Sequence, residues 1–218
     1  MRRMLVCLLF PLALAACGAE PVWAPDAAVS AASYSSGEPP SVTLFTVIST
    51  RTGGGGHSAL MIDGRQRVMF DPAGTWYHPY VPERNDVHYG ITPRMRAFYI
   101  DYHARETFFV REQRVPVSLE VAEIMRARAE ANGAAPKAFC ANAVGDVLRA
   151  TPGFESMPGG FSPLRISKAF AELPGATLKD HYDGDPDNNS GVLMIEAKKA
   201  EELGIVAPNG HRQGSRVE

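Results

Sequence analysis

The stretch that decides the fold reads Thr52-Gly53-Gly54-Gly55-Gly56-His57-Ser58-Ala59-Leu60-Met61-Ile62-Asp63-Gly64-Arg65-Gln66-Arg67-Val68-Met69-Phe70-Asp71. Two short apolar runs meet at Asp63-Gly64, a dipeptide that favours tight hairpin turns because its backbone tolerates positive φ. A histidine stands at the mouth of the first run, directly after four glycines, and an aspartate closes the second. Farther on, Cys140 falls where a helix is expected to begin. Histidine, aspartate and cysteine together suit nucleophilic catalysis by a thiol.

Register decides whether His57 and Asp71 meet. A two-residue turn at Asp63-Gly64 pairs Ile62 with Arg65 and His57 with Phe70, which sends Asp71 to the opposite face. A three-residue loop over Asp63 to Arg65 pairs Ile62 with Gln66 and sets His57 across from Asp71. The sequence leaves both open. The glycines are either a plain connection or, at Gly55 and Gly56, a place where backbone approaches a substrate beside His57. No Gly-Lys-Ser/Thr follows them, so they are not a phosphate loop.

The 218 residues carry a net charge of −2, with no basic stripe or aromatic ladder, which argues against a nucleic-acid partner. Arg2 and Arg3 precede an apolar run, Met4 to Leu14, that is too short to span a membrane as a mature helix. Leu14-Ala15-Ala16-Cys17-Gly18 resembles the bacterial lipobox. That resemblance implies cleavage before Cys17 and lipidation of Cys17. It makes residues 1–16 a signal peptide and 17–41 the lipidated cysteine with a flexible Ala-, Ser- and Pro-rich tether. The folded domain is then 42–196 and the polar tail 197–218. The implied place is the bacterial cell envelope, lipid-anchored and periplasm-facing, with the outer membrane ahead of the inner. Cys7 leaves with the signal and Cys17 is blocked, so Cys140 remains as a lone thiol in an oxidising compartment.

Val42 to Thr50 is a β-branched run and reads as a strand. Asp71 to Tyr80 is rich in turns and aromatics. Its Trp76 and His78 either wall a substrate pocket or pin a surface loop. Met95 to Tyr102 fits a short strand or a helix, and Thr107 to Val115 fits a strand. Ser118 caps a helix over Leu119 to Ala131, with Gly133 beyond its end. Pro136 precedes a second helix, Cys140 to Arg149, whose apolar positions Cys140, Val144, Val147 and Leu148 form one stripe. Ser162-Pro163 opens a third, which stops by Pro174-Gly175. Asp183 to Asn189 fails the EF-hand pattern, because Asn188 and Met194 stand where glycine and glutamate are needed. It reads as a solvated acidic turn. Val192 to Ile195 reads as a final strand, with a short helix over Lys198 to Leu203 in the tail.

Gly56-His57-Ser58-Ala59-Leu60 with its hairpin, followed much later by Phe139-Cys140-Ala141-Asn142-Ala143-Val144 running into Leu148-Arg149, carries a family resemblance. It is similar to the circularly permuted branch of the NlpC-type papain-like superfamily, to which lecithin:retinol acyltransferase and related bacterial envelope proteins belong. The resemblance covers Val42 to Arg149. It implies an α+β fold in which an antiparallel sheet with a His-bearing hairpin packs against a Cys-bearing helix. It also implies Cys140 as nucleophile, His57 as base and Asp71 as the third residue. Acyltransferase members often carry a second histidine on the far strand and an asparagine before the cysteine. Asp71 and Phe139 stand there instead, so acyltransferase specificity does not transfer.

The leading expectation is therefore an envelope thiol hydrolase that cleaves an amide or ester bond, in a peptidoglycan peptide or an acyl-lipid, without a cofactor. A second is a binding or scaffold lipoprotein with the same fold. A third is a metallohydrolase built from His57, Asp71, His78, His88 or His103. No HExxH or close His-x-His spacing supports it.

Overall fold

A computed structural model describes residues 18–189 and 191–193. The sequence-based expectations for Cys17, Lys198 to Leu203 and the polar tail lie outside them. The chain is α+β. Helix α1 (Asp26–Ala31) precedes strands β1 (Ser41–Ser49), β2 (Gly55–Asp63), β3 (Arg67–Phe70), β4 (Glu83–Arg84) and β5 (Val87–Tyr89). Helix α2 (Pro93–His103), strand β6 (Phe108–Pro116), helices α3 (Leu119–Ala131), α4 (Cys140–Arg149) and α5 (Pro163–Ala171), and strand β7 (Thr177–His181) follow. The strands form one antiparallel sheet in the order β4-β5-β3-β2-β1-β6-β7.

Both faces of this sheet are covered, which explains why its central strands are almost continuously apolar. Val42, Leu44, Leu60, Ile62, Val68 and Phe70 point to one face and pack on α3, α4 and α5. Phe45, Val47, Ala59, Met61 and Met69 point to the other, where α2 and the 72–81 loop cover them. Each fully buried Leu, Ile or Phe on these faces contributes about 1.5–3 kcal/mol relative to exposure. Helices α2, α3 and α5 start at capped ends. Thr92, Ser118 and Ser162 accept hydrogen bonds from the backbone N–H of Met95, Val121 and Arg165. Pro93 and Pro163 take first-turn positions, where no intrahelical donor is lost. The Met95–Tyr102 segment is thus a helix.

Several sequence-based expectations need correction. Residues 18–40 are a fixed strap along the sheet, not a free tether. Ala24 and Ala28 are buried, Ala24 N–H donates to Glu83 O (2.9 Å) and Asn85 N–H to Val22 O (2.9 Å). Arg67 N–H donates to Tyr34 O at 2.7 Å. Gly90, with φ 81°, lets the strap pass, since a Cβ there would lie 2.4 Å from Ala32 O. Gly191 to Leu193 are helical rather than extended; Leu193 buries an apolar side chain against the α2 face. Part of the acidic turn is engaged rather than merely solvated: Asp185 pairs with Arg105 (3.1 Å), and Asp187 accepts from Thr107 N–H (3.0 Å).

Candidate active site

The site lies at one end of the sheet, where β2 outruns β3. The two strands pair only from Leu60↔Phe70 to Asp63↔Arg67, so β2 continues to Gly55 with its β3 side open. The hairpin loop is Gly64 to Gln66, so neither register left open by the sequence is adopted: the loop has three residues but is shifted one beyond Asp63–Arg65. An odd loop length keeps Asp71 on the face of His57, but this register continues to put it opposite Ala59, diagonal to the histidine. Diagonal neighbours on one face are within reach of long side chains. On the β1 side the register slips between Val47↔His57 and Ile48↔Gly55, leaving Gly56 as an unpaired bulge residue. Such a bulge bends the strand and re-aims the side chain beside it.

The start of α4 faces the open part of β2. Phe139 N–H donates to Pro136 O at 3.1 Å, closing a turn in which Ala138 takes φ 69°, an unfavourable conformation for a residue with a Cβ. Cys140 follows as the first helical residue, 8 % exposed. Its sulfur is turned toward His57 and the backbone N–H groups of Ser58 and Ala141, whose donor character favours the charged form. Burial alone would raise this thiol, but His57, through hydrogen bond and charge, and then the two N–H groups hold it below its ordinary value.

His57 bridges thiol and carboxylate. Its Nε2–H donates to Asp71 Oδ1 at 2.6 Å, which leaves Nδ1 as the nitrogen for Cys140. The imidazole side chain is 14 % exposed and that of Asp71 is inaccessible. Burial works against a charged ring, yet Asp71, through charge and hydrogen bond, and then Cys140 push His57 up to about 10. Burial would likewise raise Asp71, but His57, then His103 and His88, hold its carboxyl well below the usual range. Thiol, imidazole and carboxylate thus stand in a row, with the thiol lowered and the imidazole between them held toward its charged form.

A second tier holds the carboxylate. Tyr99 Oη–H donates to Asp71 Oδ1 at 2.8 Å. Burial and the neighbouring Asp71 keep this phenol well above its ordinary value, so it remains a donor. One turn along α2, His103 stacks on His57 with ring centroids 5.6 Å apart and donates from Nδ1 to Tyr99 O at 2.8 Å. Gly74 closes the other side, since a Cβ there would lie 1.8 Å from Asp71 Oδ2. Asp86 ties the acid loop to the thiol loop. Its backbone oxygen accepts from Asp71 N–H (2.8 Å), and its Oδ2 accepts from Ala73 N–H (3.3 Å) and Ala135 N–H (2.7 Å).

The expected site residues thus divide. Cys140, His57 and Asp71 come together. Trp76 and His78 do not wall a pocket: both are buried, Trp76 packing edge-on to Tyr99 and His88, and His78 edge-on to Phe98. Gly55 is a packing glycine, because a Cβ there would lie 2.9 Å from Pro163 of α5. Gly56 is exposed at the bulge and remains next to His57. Tyr99, His103, Gly74 and Asp86 were not singled out as a supporting shell. The first two had a visible signal, since Met95, Tyr99 and His103 recur every four residues on one helix face.

His57, Asp71 and His103 each bring a possible ligand atom within 4.8 Å of the others. Two ligands on a tetrahedral zinc, at 2.0–2.2 Å from the ion, lie roughly 3.3 Å apart. His57 Nε2 and Asp71 Oδ1 are only 2.6 Å apart and share a proton. The donors are closed on each other, and the cluster does not fit a bound zinc as it stands. No protein-family model, curated protein or solved structure matches this chain.

Proposed function

We propose that this chain is a lipid-anchored envelope thiol hydrolase, of circularly permuted papain-like arrangement, that cleaves an amide or ester bond. The observation that carries the reading is a single imidazole held between a helix-start thiol and a buried carboxylate. A structural cysteine needs neither partner. The thiolate of Cys140 attacks the carbonyl carbon, and the carbonyl electron pair moves onto oxygen. The backbone N–H of Cys140, at a helix end where such groups lack intrahelical partners, favours that oxyanion. His57 passes its Nδ1 proton to the leaving nitrogen or oxygen as the bond breaks, leaving a thioester. Water then attacks with His57 as base, the C–S bond breaks, and acid and thiolate are released. Asp71 keeps the imidazole in orientation throughout. A cell-wall peptide and an acyl-lipid are the two substrate classes, and no step requires a cofactor.

The test is the alkylation rate of Cys140 by iodoacetamide as a function of pH. Because the folded thiol is lowered, the wild type should show an inflection below the ~8.5 of a free cysteine. His57→Ala should move that inflection upward. If both proteins react only as a free thiol does, the enzyme reading fails and a binding lipoprotein remains.

A further inference from the structure

We infer that the end of the molecule bearing Cys140 rests on the bilayer that holds the anchor, and that its substrate presents the scissile carbonyl in the headgroup layer of that bilayer. The inference rests on reading Cys17 as the lipidated residue. The first described residues of the strap do not lead away from the catalytic end. Ala19 pairs with Pro136, and Glu20 Oε1 lies 3.5 Å from Lys137 Nζ. Pro136 opens the turn that delivers Cys140. A fully extended chain spans at most about 3.6 Å per residue, and only two residues of sequence separate the anchor read at Cys17 from Ala19. The leash is that short.

Exposed apolar surface at the same end agrees with a membrane surface. Phe139, directly before the nucleophile, is 38 % exposed, and Phe161 is 63 % exposed. Their rings meet edge-on at 5.0 Å, forming an apolar pair beside the thiol. Water makes such a pair costly, whereas the headgroup–acyl boundary accommodates aromatic rings. With the strap bonded to the body as far as Ser36, which donates from Oγ to Asp63 Oδ1 at 2.8 Å, no slack lets the domain reach far from the bilayer. A lipid-borne ester or amide is then within reach of Cys140, and a wall peptide distant from the membrane is not.

The full-length lipidated protein is placed in vesicles of phosphatidylethanolamine and phosphatidylglycerol and offered three electrophiles separately. These are a maleimide on the phosphatidylethanolamine headgroup, a maleimide on a soluble muropeptide, and iodoacetamide. Cys140 should couple to the lipid-borne maleimide, read as a phospholipid adduct on its peptide. Inserting about twenty Gly/Ser residues between Gly18 and Ala19 should slow that coupling about tenfold, since a longer linker dilutes the tethered thiol. Faster coupling to the muropeptide, or an unchanged rate after insertion, overturns the inference. So does labelling by iodoacetamide without any lipid adduct, which would leave the thiol reading intact. A wild type that reacts with none of the three overturns both, and protein recovered without lipid on Cys17 removes the anchor and this inference with it.

Discussion

Asp71 shows how narrowly a single residue is held. One oxygen takes hydrogen bonds from His57 and Tyr99, and the other faces the empty Cα of Gly74. Gly74→Ala must push either the carboxylate or its own loop aside, an overpacking that costs about 1–3 kcal/mol. The expected outcome is an upward move of the Cys140 alkylation inflection together with a lower urea midpoint; a lower midpoint with an unmoved inflection would show that the loop, not the carboxylate, gives way. His57, Asp71 and Cys140 were legible in the sequence because each has a recognisable local position: strand mouth, strand end and helix start. Gly74 and Asp86 were not. Their importance comes from what lies across space, and no local pattern marks a glycine that faces a carboxylate or an aspartate that accepts from two distant loops.

Among the elements, helices α3 and α4 have the boundaries expected from the cap at Ser118 and the apolar stripe from Cys140. The hairpin was harder to read. Asp63-Gly64 announces a turn, but the loop length depends on which pairing buries Leu60, Ile62, Val68 and Phe70 together, a decision made by the core rather than by the dipeptide. The strap was misread for a similar reason: its Ala- and Ser-rich composition has no period, and its order comes from backbone hydrogen bonds to residues distant in sequence, Arg67, Glu83 and Asn85. The turn before α4 carries its own cost. Ala138 in the left-handed region is less favourable than glycine there by about 1 kcal/mol. Ala138→Gly should raise the unfolding free energy in urea by about that amount and leave the Cys140 inflection in place, whereas Ala138→Val should lower it. An unchanged midpoint in both variants would mean the turn is not under strain.

For the whole molecule, His103 should shape stability in acid. Burial, with His57 and Arg105, lowers it from 6.5 to about 4, against the opposing pull of Asp71 and its bond to the Tyr99 carbonyl. The unfolded chain binds a proton on this ring near 6.5 while the folded one does not until about 4. The stabilisation is therefore complete above 6.5 and is lost as pH falls from 6.5 to 4, by about 3 kcal/mol at most. His103→Asn should flatten the urea stability curve across that window, and a curve of unchanged slope would remove His103 as its cause. The order of parts along the chain has a consequence for biogenesis. His57 and Asp71 belong to the first hairpin, while Cys140 arrives only with α4, after most of the sheet has been synthesised. The pairing of Ser58 with Cys140 is a contact of high sequence separation, the kind that forms late and slowly. Until then Cys140 lacks the neighbours that lower its thiol, so that shift is itself a product of folding.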